Sequence, residues 1–300
     1  MGSYDYERAP ARSGKRRFDD EVISVKRGRR QRLEVIEENP DDGHRWSTWD
    51  QSSPTERGPR PYPDWLVTDL AAVDTELGVL KTGKEADVFL VERGIPDTDR
   101  RCLLAAKRYR AAEHRMFHRD AGYLEGRRVR ESRVNRAMSG RTDFGRQVIA
   151  GQWAMAEFGA LCTLYELGVP VPYPVQILDT EVLLEFIGSA DGTMAAPRLA
   201  QLRRDTADLE DLWRQLVDAL RIMARAQVTH GDLSAYNLLV QDGRLVMIDL
   251  PQIVDVITNP RGAEFIGRDV NNVATWFTMQ GLTVDGEDLA AELRWEAGLR

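Results

Sequence analysis

The sequence predicts an α+β fold in two lobes, a small sheet-rich N-lobe followed by a mostly helical C-lobe. Three observations predict it. Short strand-like runs crowd between residues 77 and 107 and return between 175 and 186. After residue 208, long stretches place apolar residues at helical spacing. No internal repeat is present, and 300 residues with 42% hydrophobic content can bury one or two sizeable cores.

In chain order, residues 1–60 are polar and rich in Arg, Asp, Glu, Ser and Pro, which reads as a largely disordered tail. Their 13 basic and 12 acidic residues nearly balance, so the patch Lys26-Arg27-Gly28-Arg29-Arg30-Gln31-Arg32 is either solvated or touches RNA or an acidic partner. Pro59 to Pro63 mark a boundary, and residues 65–77 read as a short amphipathic helix leading into the fold. The N-lobe, residues 61–187, then offers a strand at 78–80, a turn at 81–87, and strands at 88–91 and 102–107. A basic insertion spans 108–148, where Phe117 and Tyr123 are the aromatics. A helix over 152–167 stops at Gly168 and Pro170, and two strands follow at 175–178 and 182–186.

The C-lobe, residues 188–300, opens on a helix at 208–226, where Leu209, Leu212, Trp213, Leu216, Leu220 and Met223 repeat at core spacing. Strands at 238–240 and 245–248 flank Asp242-Gly243, a strong hairpin signal. Helices at 268–279 and 287–299 complete the chain.

Bulk numbers exclude several classes. A net charge of −7 does not by itself suggest nucleic acid, although residues 101–148 hold 13 Lys and Arg against 5 Asp and Glu. With Cys102 and Cys162 alone, both in apolar surroundings, neither a disulfide framework nor a zinc site is expected. No apolar run approaches a membrane span and the N-terminus is too polar for a signal peptide, so the expectation is a cytoplasmic protein with no membrane partner.

The chemistry concentrates in His230-Gly231-Asp232-Leu233-Ser234-Ala235-Tyr236-Asn237 and in Asp249, which follows the apolar run 245–248. Phosphoryl transfer from ATP needs such a trio: a carboxylate at the nucleophile (Asp232), and an amide and a carboxylate on the metal (Asn237, Asp249). A bland reading makes His-Gly-Asp a turn and Asp249 a cap, but the hairpin brings Asn237 and Asp249 to one end. A small sheet with one helix, followed by a helical half carrying this site, is the bilobal plan of protein kinases. In that plan Lys107 ends a strand where its amine meets nucleotide phosphates, and Glu157, on an otherwise apolar helical stretch, suits as its partner. Thr82-Gly83-Lys84-Glu85-Ala86-Asp87-Val88 takes the place of a phosphate-covering loop, where Thr82, Lys84 and backbone N–H groups could contact phosphate. It has one glycine rather than three, a weak signal on its own. Glu185-Phe186-Ile187-Gly188 should link the lobes, with backbone groups of Glu185 and Ile187 on an adenine edge.

Over roughly residues 65–285 the chain resembles the RIO family of atypical serine/threonine protein kinases. The Thr82 to Val88 loop and the insertion containing Phe117-His118-Arg119-Asp120-Ala121-Gly122-Tyr123 are similar to the family's Rio1 branch. Ile248-Asp249-Leu250-Pro251-Gln252 and Arg268-Asp269-Val270 look more like the Rio2 branch, so the branch stays open. The resemblance implies a compact RIO-type kinase fold, ATP with magnesium or manganese, and Asp232 as catalytic Asp. It also implies Asn237 and Asp249 on the metal, Lys107 at the phosphates, paired with Glu157, and Val88 in the nucleotide site. It further implies serine autophosphorylation, a transient aspartyl phosphate on Asp249 in an ATPase-like cycle, and a part in small ribosomal subunit maturation. Ala235 replaces the usual Glu of the catalytic loop, and no glycine follows Asp249 as in Asp-Phe-Gly, so a flipping activation segment is not expected.

Two other classes fit the same residues. His-Gly-Asp-Leu with a following Asn also suits small-molecule kinases of the aminoglycoside or choline phosphotransferase type. An ATP-gated assembly factor with little turnover would keep the same site. The insertion 108–148 is either a solvated loop or a surface that meets RNA or a ribosomal precursor.

Overall fold

The computed structural model describes residues 44–110, 143–203 and 207–299. The patch at 26–32 and most of the basic insertion lie outside the described residues.

The N-lobe is built on a six-stranded antiparallel sheet of order β1-β2-β3-β4-β6-β5. Its strands are β1 (His44–Trp46), β2 (Val73–Thr82), β3 (Ala86–Gly94), β4 (Arg101–Tyr109), β5 (Pro174–Leu178) and β6 (Glu181–Glu185). Strand alternation sorts β4 cleanly. Cys102, Leu104 and Ala106 face one side and pack with Trp49, Leu66 and Val67. Tyr109 faces the other, in a cluster with Ala150, Ala154 and Phe158 of helix α1 (Asp143–Glu166). Both faces of the sheet are therefore covered.

Two expectations fail at the entrance to this lobe. Residues 65–77 form no helix: Val73 begins the ten-residue strand β2. Their apolar positions instead cap the sheet, with Leu66, Val67 and Ala72 buried. The strand wins because Asp74 points inward to a buried partner. Arg93 on β3 donates to both Asp74 oxygens, at 2.6 and 2.9 Å, and to Gln176 Oε1 at 2.9 Å. A paired, fully hydrogen-bonded charge is the form in which burial is tolerated. Residues 44–60 are likewise not tail. β1 pairs with β2, and Trp49 is buried edge-on against Tyr62, ring centroids 5.1 Å apart. Polar composition hid this segment, because a few aromatics supply its attachment.

Helix α1 also begins earlier than the expected 152, because Ala150 already packs under Tyr109. The C-lobe follows its pattern more closely. Helix α2 (Leu209–Arg225) is capped by Asp208, which accepts from Asp211 N–H at 3.0 Å. The hairpin of β8 (Leu238–Gln241) and β9 (Arg244–Met247) turns through Asp242 at φ 51° and Gly243 at φ 75°, the double positive φ of a type I′ turn. Two-residue strands β7 (Val228–Thr229) and β10 (Val254–Asp255) pair beside it. Helices α3 (Gly262–Met279) and α4 (Gly286–Glu296) close the core, which joins Leu212 and Leu216 of α2 to Val273 and Phe277 of α3. No described helix is long and apolar enough to cross a membrane.

Candidate active site

Three side chains expected from different segments converge between the lobes. Lys107, near the end of β4, donates to Glu157 Oε1 of α1 at 2.6 Å and to Asp249 Oδ1 at 2.7 Å. Glu157 is 1% exposed and Asp249 40%, so the ammonium links a buried carboxylate to one that opens on the cleft. Burial works against the Lys107 charge, but Glu157 and Asp249 together hold its ammonium well above its ordinary range. In return Lys107 holds the Asp249 carboxyl down to about 2, so Asp249 is anionic at neutral pH. Asp249 follows β9 with φ 68°, a left-handed backbone that Asp tolerates better than most residues.

Glu157 is further fixed by two donors the sequence reading missed. Tyr109 gives its hydroxyl to Oε2 at 2.5 Å, and Leu250 N–H reaches Oε1 at 3.3 Å. The signal for Tyr109 was available, since a residue two positions after Lys107 on a strand shares its face.

Asp232 lies on the turn between β7 and β8, and Asp269 of α3 holds that turn. The Asp269 carboxylate is fully buried and accepts from Thr229 Oγ1 at 2.8 Å, Gly231 N–H at 2.7 Å and Leu233 N–H at 3.0 Å. The Arg268-Asp269-Val270 motif had marked this residue without its task. His230 ties the turn to the Asp249 segment: Nδ1 accepts from Asp232 N–H at 3.3 Å, and Nε2 donates to Ile248 O at 3.0 Å. That assignment requires a neutral ring with its proton on Nε2. Asn237 Nδ2 donates to Asp232 O at 2.9 Å, and Ile248 N–H donates to Asn237 O at 2.9 Å. Asp232, Asn237 and Asp249 are thus one connected unit. Partial burial raises the Asp232 carboxyl; the Arg268 guanidinium pulls it down, whereas the Asp269 and Asp249 carboxylates push it up.

The remaining expected residues surround this unit. Val88 pairs across the strands with Lys107 on one side and Lys81 on the other, so the three share a sheet face. Lys81, which the sequence reading left inside a turn, also draws the Asp249 carboxyl down. Thr82 and Lys84 are exposed at the turn between β2 and β3. A Cβ on Gly83 would sit 2.7 Å from Ala86 O, so only glycine closes this turn without a shift. The Glu185 carboxylate turns back to accept from Tyr173 N–H at 3.0 Å, which leaves recognition there to backbone. Ile187 O accepts from Ala196 N–H at 2.9 Å, while among the described residues nothing accepts from Ile187 N–H. An adenine ring nitrogen would complement that donor.

Asn237 and Asp249 offer an amide oxygen and a carboxylate, hard donors of the kind magnesium takes together with substrate phosphates. No group of three or more His, Cys, Asp or Glu among the described residues forms a separate metal cage. The residues present therefore fit a magnesium ion held jointly with nucleotide.

Comparison with known proteins identifies the family. Residues 98–289 match the RIO domain family. A RIO-type serine/threonine-protein kinase Rio1 of Haloferax volcanii is 36% identical over 225 residues, 75% of this chain and 70% of the relative. Its counterpart in Thermoplasma acidophilum is 30% identical over 167 residues, 56% of this chain and 81% of the relative. Among solved structures, a Rio2 kinase–ADP/Mg2+–phosphoaspartate complex from Chaetomium thermophilum superimposes with a TM-score of 0.53 at 20% identity. That match covers 74% of this chain and 62% of the other, and it is a likeness of fold. The compact bilobal α+β architecture, the matched domain and the level of identity agree: the chain belongs to the RIO family of atypical protein kinases.

Proposed function

We propose that the chain transfers the γ-phosphoryl group of ATP, in the presence of magnesium, to serine hydroxyls including its own and to the Asp249 carboxylate. The observation that supports this most directly is the Lys107 ammonium held between Glu157 and Asp249 at 2.6 and 2.7 Å, with Asp232 exposed on the turn after β7. A cation so placed balances phosphate charge without having to reorganise. In the serine reaction Asp232 accepts the hydroxyl proton, the oxygen attacks the γ-phosphorus, and ADP leaves. In the aspartate reaction a carboxylate oxygen of Asp249 attacks the γ-phosphorus instead and ADP again leaves; water then cleaves the acyl phosphate, releasing inorganic phosphate and restoring the carboxylate. Magnesium, when bound, neutralises phosphate charge, and Asn237 and Asp249 are the residues that would hold it. The anionic state of Asp249 at neutral pH and its opening to the cleft support both of its tasks.

The deciding experiment is incubation with γ-labelled ATP and magnesium, followed by denaturation and treatment with hydroxylamine. Label lost to hydroxylamine reports the acyl phosphate, and stable label on serine reports kinase activity. A protein that labels neither, yet phosphorylates small alcohols, would return the small-molecule class to first place. A part in ribosomal subunit maturation extends the same reading. It is tested by salt-dependent binding to ribosomal precursor RNA and its loss in an Arg127, Arg128, Arg130 triple Ala variant.

A further inference from the structure

Tyr109 and Lys107 leave the same face of β4, and both end on Glu157. They use different oxygens: the Tyr109 hydroxyl donates to Oε2 at 2.5 Å, and the Lys107 ammonium to Oε1 at 2.6 Å. The Tyr109 ring also lies beneath the ammonium, 5.3 Å from Nζ to the ring centroid, and its other contacts include Ala154 and Phe158 of α1. A glutamate held through one oxygen can still turn about its last torsion, which is broad. A donor on the second oxygen removes that freedom. It also leaves neither oxygen of a fully buried carboxylate without a partner.

We propose that Tyr109 is a positioning residue for phosphoryl transfer: its hydroxyl fixes the Glu157 carboxylate, and through it the Lys107 ammonium, in the geometry that meets the phosphates. A purely packing role would need the ring alone, and the ring survives in Tyr109→Phe. The hydroxyl is therefore the part to remove. Its effect must pass through Glu157, so it must vanish where Glu157 no longer carries charge.

Two readouts test this on the full chain. The first is equilibrium binding of a non-hydrolysable ATP analogue with magnesium, which needs no catalysis. A loosened Glu157 leaves the Lys107 ammonium less well placed for the phosphates, so Tyr109→Phe is expected to weaken binding about tenfold. An unchanged dissociation constant overturns the proposal. The second rests on the phosphotransferase reading: Tyr109→Phe should raise the KM for ATP about tenfold, the scale of one lost hydrogen bond to a charged group. In a Glu157→Gln background the same change should add nothing, and an effect of equal size there overturns the proposal. Should wild type turn over no ATP, the phosphotransferase reading falls, and binding of the analogue still decides the role of Tyr109.

Discussion

Asp249, two residues past β9, meets Lys107 at 2.7 Å from a backbone in the left-handed region, so the loop after β9 and the end of β4 are tied across the cleft by an ion pair. Neither position stands near the other in the chain, and the pairing needs the C-lobe hairpin and the N-lobe sheet in place together.

The clean variant at that contact is Asp249→Asn. Asn also tolerates positive φ, so the backbone should keep its course, whereas alanine would add strain. Hydroxylamine-sensitive label and ATP turnover should both disappear, as measured with γ-labelled ATP. The pair also has an acid signature. With the folded carboxyl lowered from 3.8 to about 2, its contribution to stability is present above pH 3.8 and lost as pH falls toward 2. Denaturation midpoints across that window should fall less steeply in Asp249→Asn than in wild type.

Asp269→Ala should both destabilise the C-lobe and disable the site. It leaves two backbone N–H groups and the Thr229 hydroxyl without their acceptor in a buried site. Such losses cost about 3 kcal/mol or more in total. Turnover should fall at least about a hundredfold, because the turn carrying Asp232 loses its anchor. Urea denaturation and ATP turnover, measured side by side, check both.

Gly83→Ala tests the phosphate-covering turn separately from the rest of the site. Its methyl would meet Ala86 O at 2.7 Å, so the turn must open while the sheet around it stays paired. The expected result is a KM for ATP raised about tenfold with a thermal midpoint near wild type. Unchanged KM would remove this turn from the nucleotide site.

Arg268→Gln should move the pH profile. Burial raises the Asp232 carboxyl and the Arg268 guanidinium restrains it. A general base works only when deprotonated, so kcat/KM climbs with pH through this group. Removing the guanidinium lets the carboxyl rise further, and the climb should shift to higher pH. A profile that stays in place would deny Arg268 any hold on Asp232.

The C-lobe was legible in the sequence because its determinants are local. The period of Leu212, Leu216 and Leu220 defines helix α2, and Asp242-Gly243 defines its hairpin, in each case within a few residues of chain. The placing of Asn237 beside the Asp249 segment was legible for the same reason, since the hairpin itself brings these two to one end. Lys107 and Glu157 were also named, but as candidates from two separate segments.

Only the tertiary structure decided the rest, and it did so where a contact spans the chain. Residues 65–77 and 44–60 were misread because the Asp74–Arg93 pair and the Trp49 attachment bring together positions whose local patterns suggest a helix and a tail. Likewise, no short-range pattern shows that Tyr109 closes the second oxygen of Glu157, or that Asp269 gathers the turn carrying Asp232. A lone polar residue on a strand or helix reads the same whether it meets water or a buried partner. Burial and hydrogen-bond geometry make that distinction, and both exist only once the lobes have closed on each other.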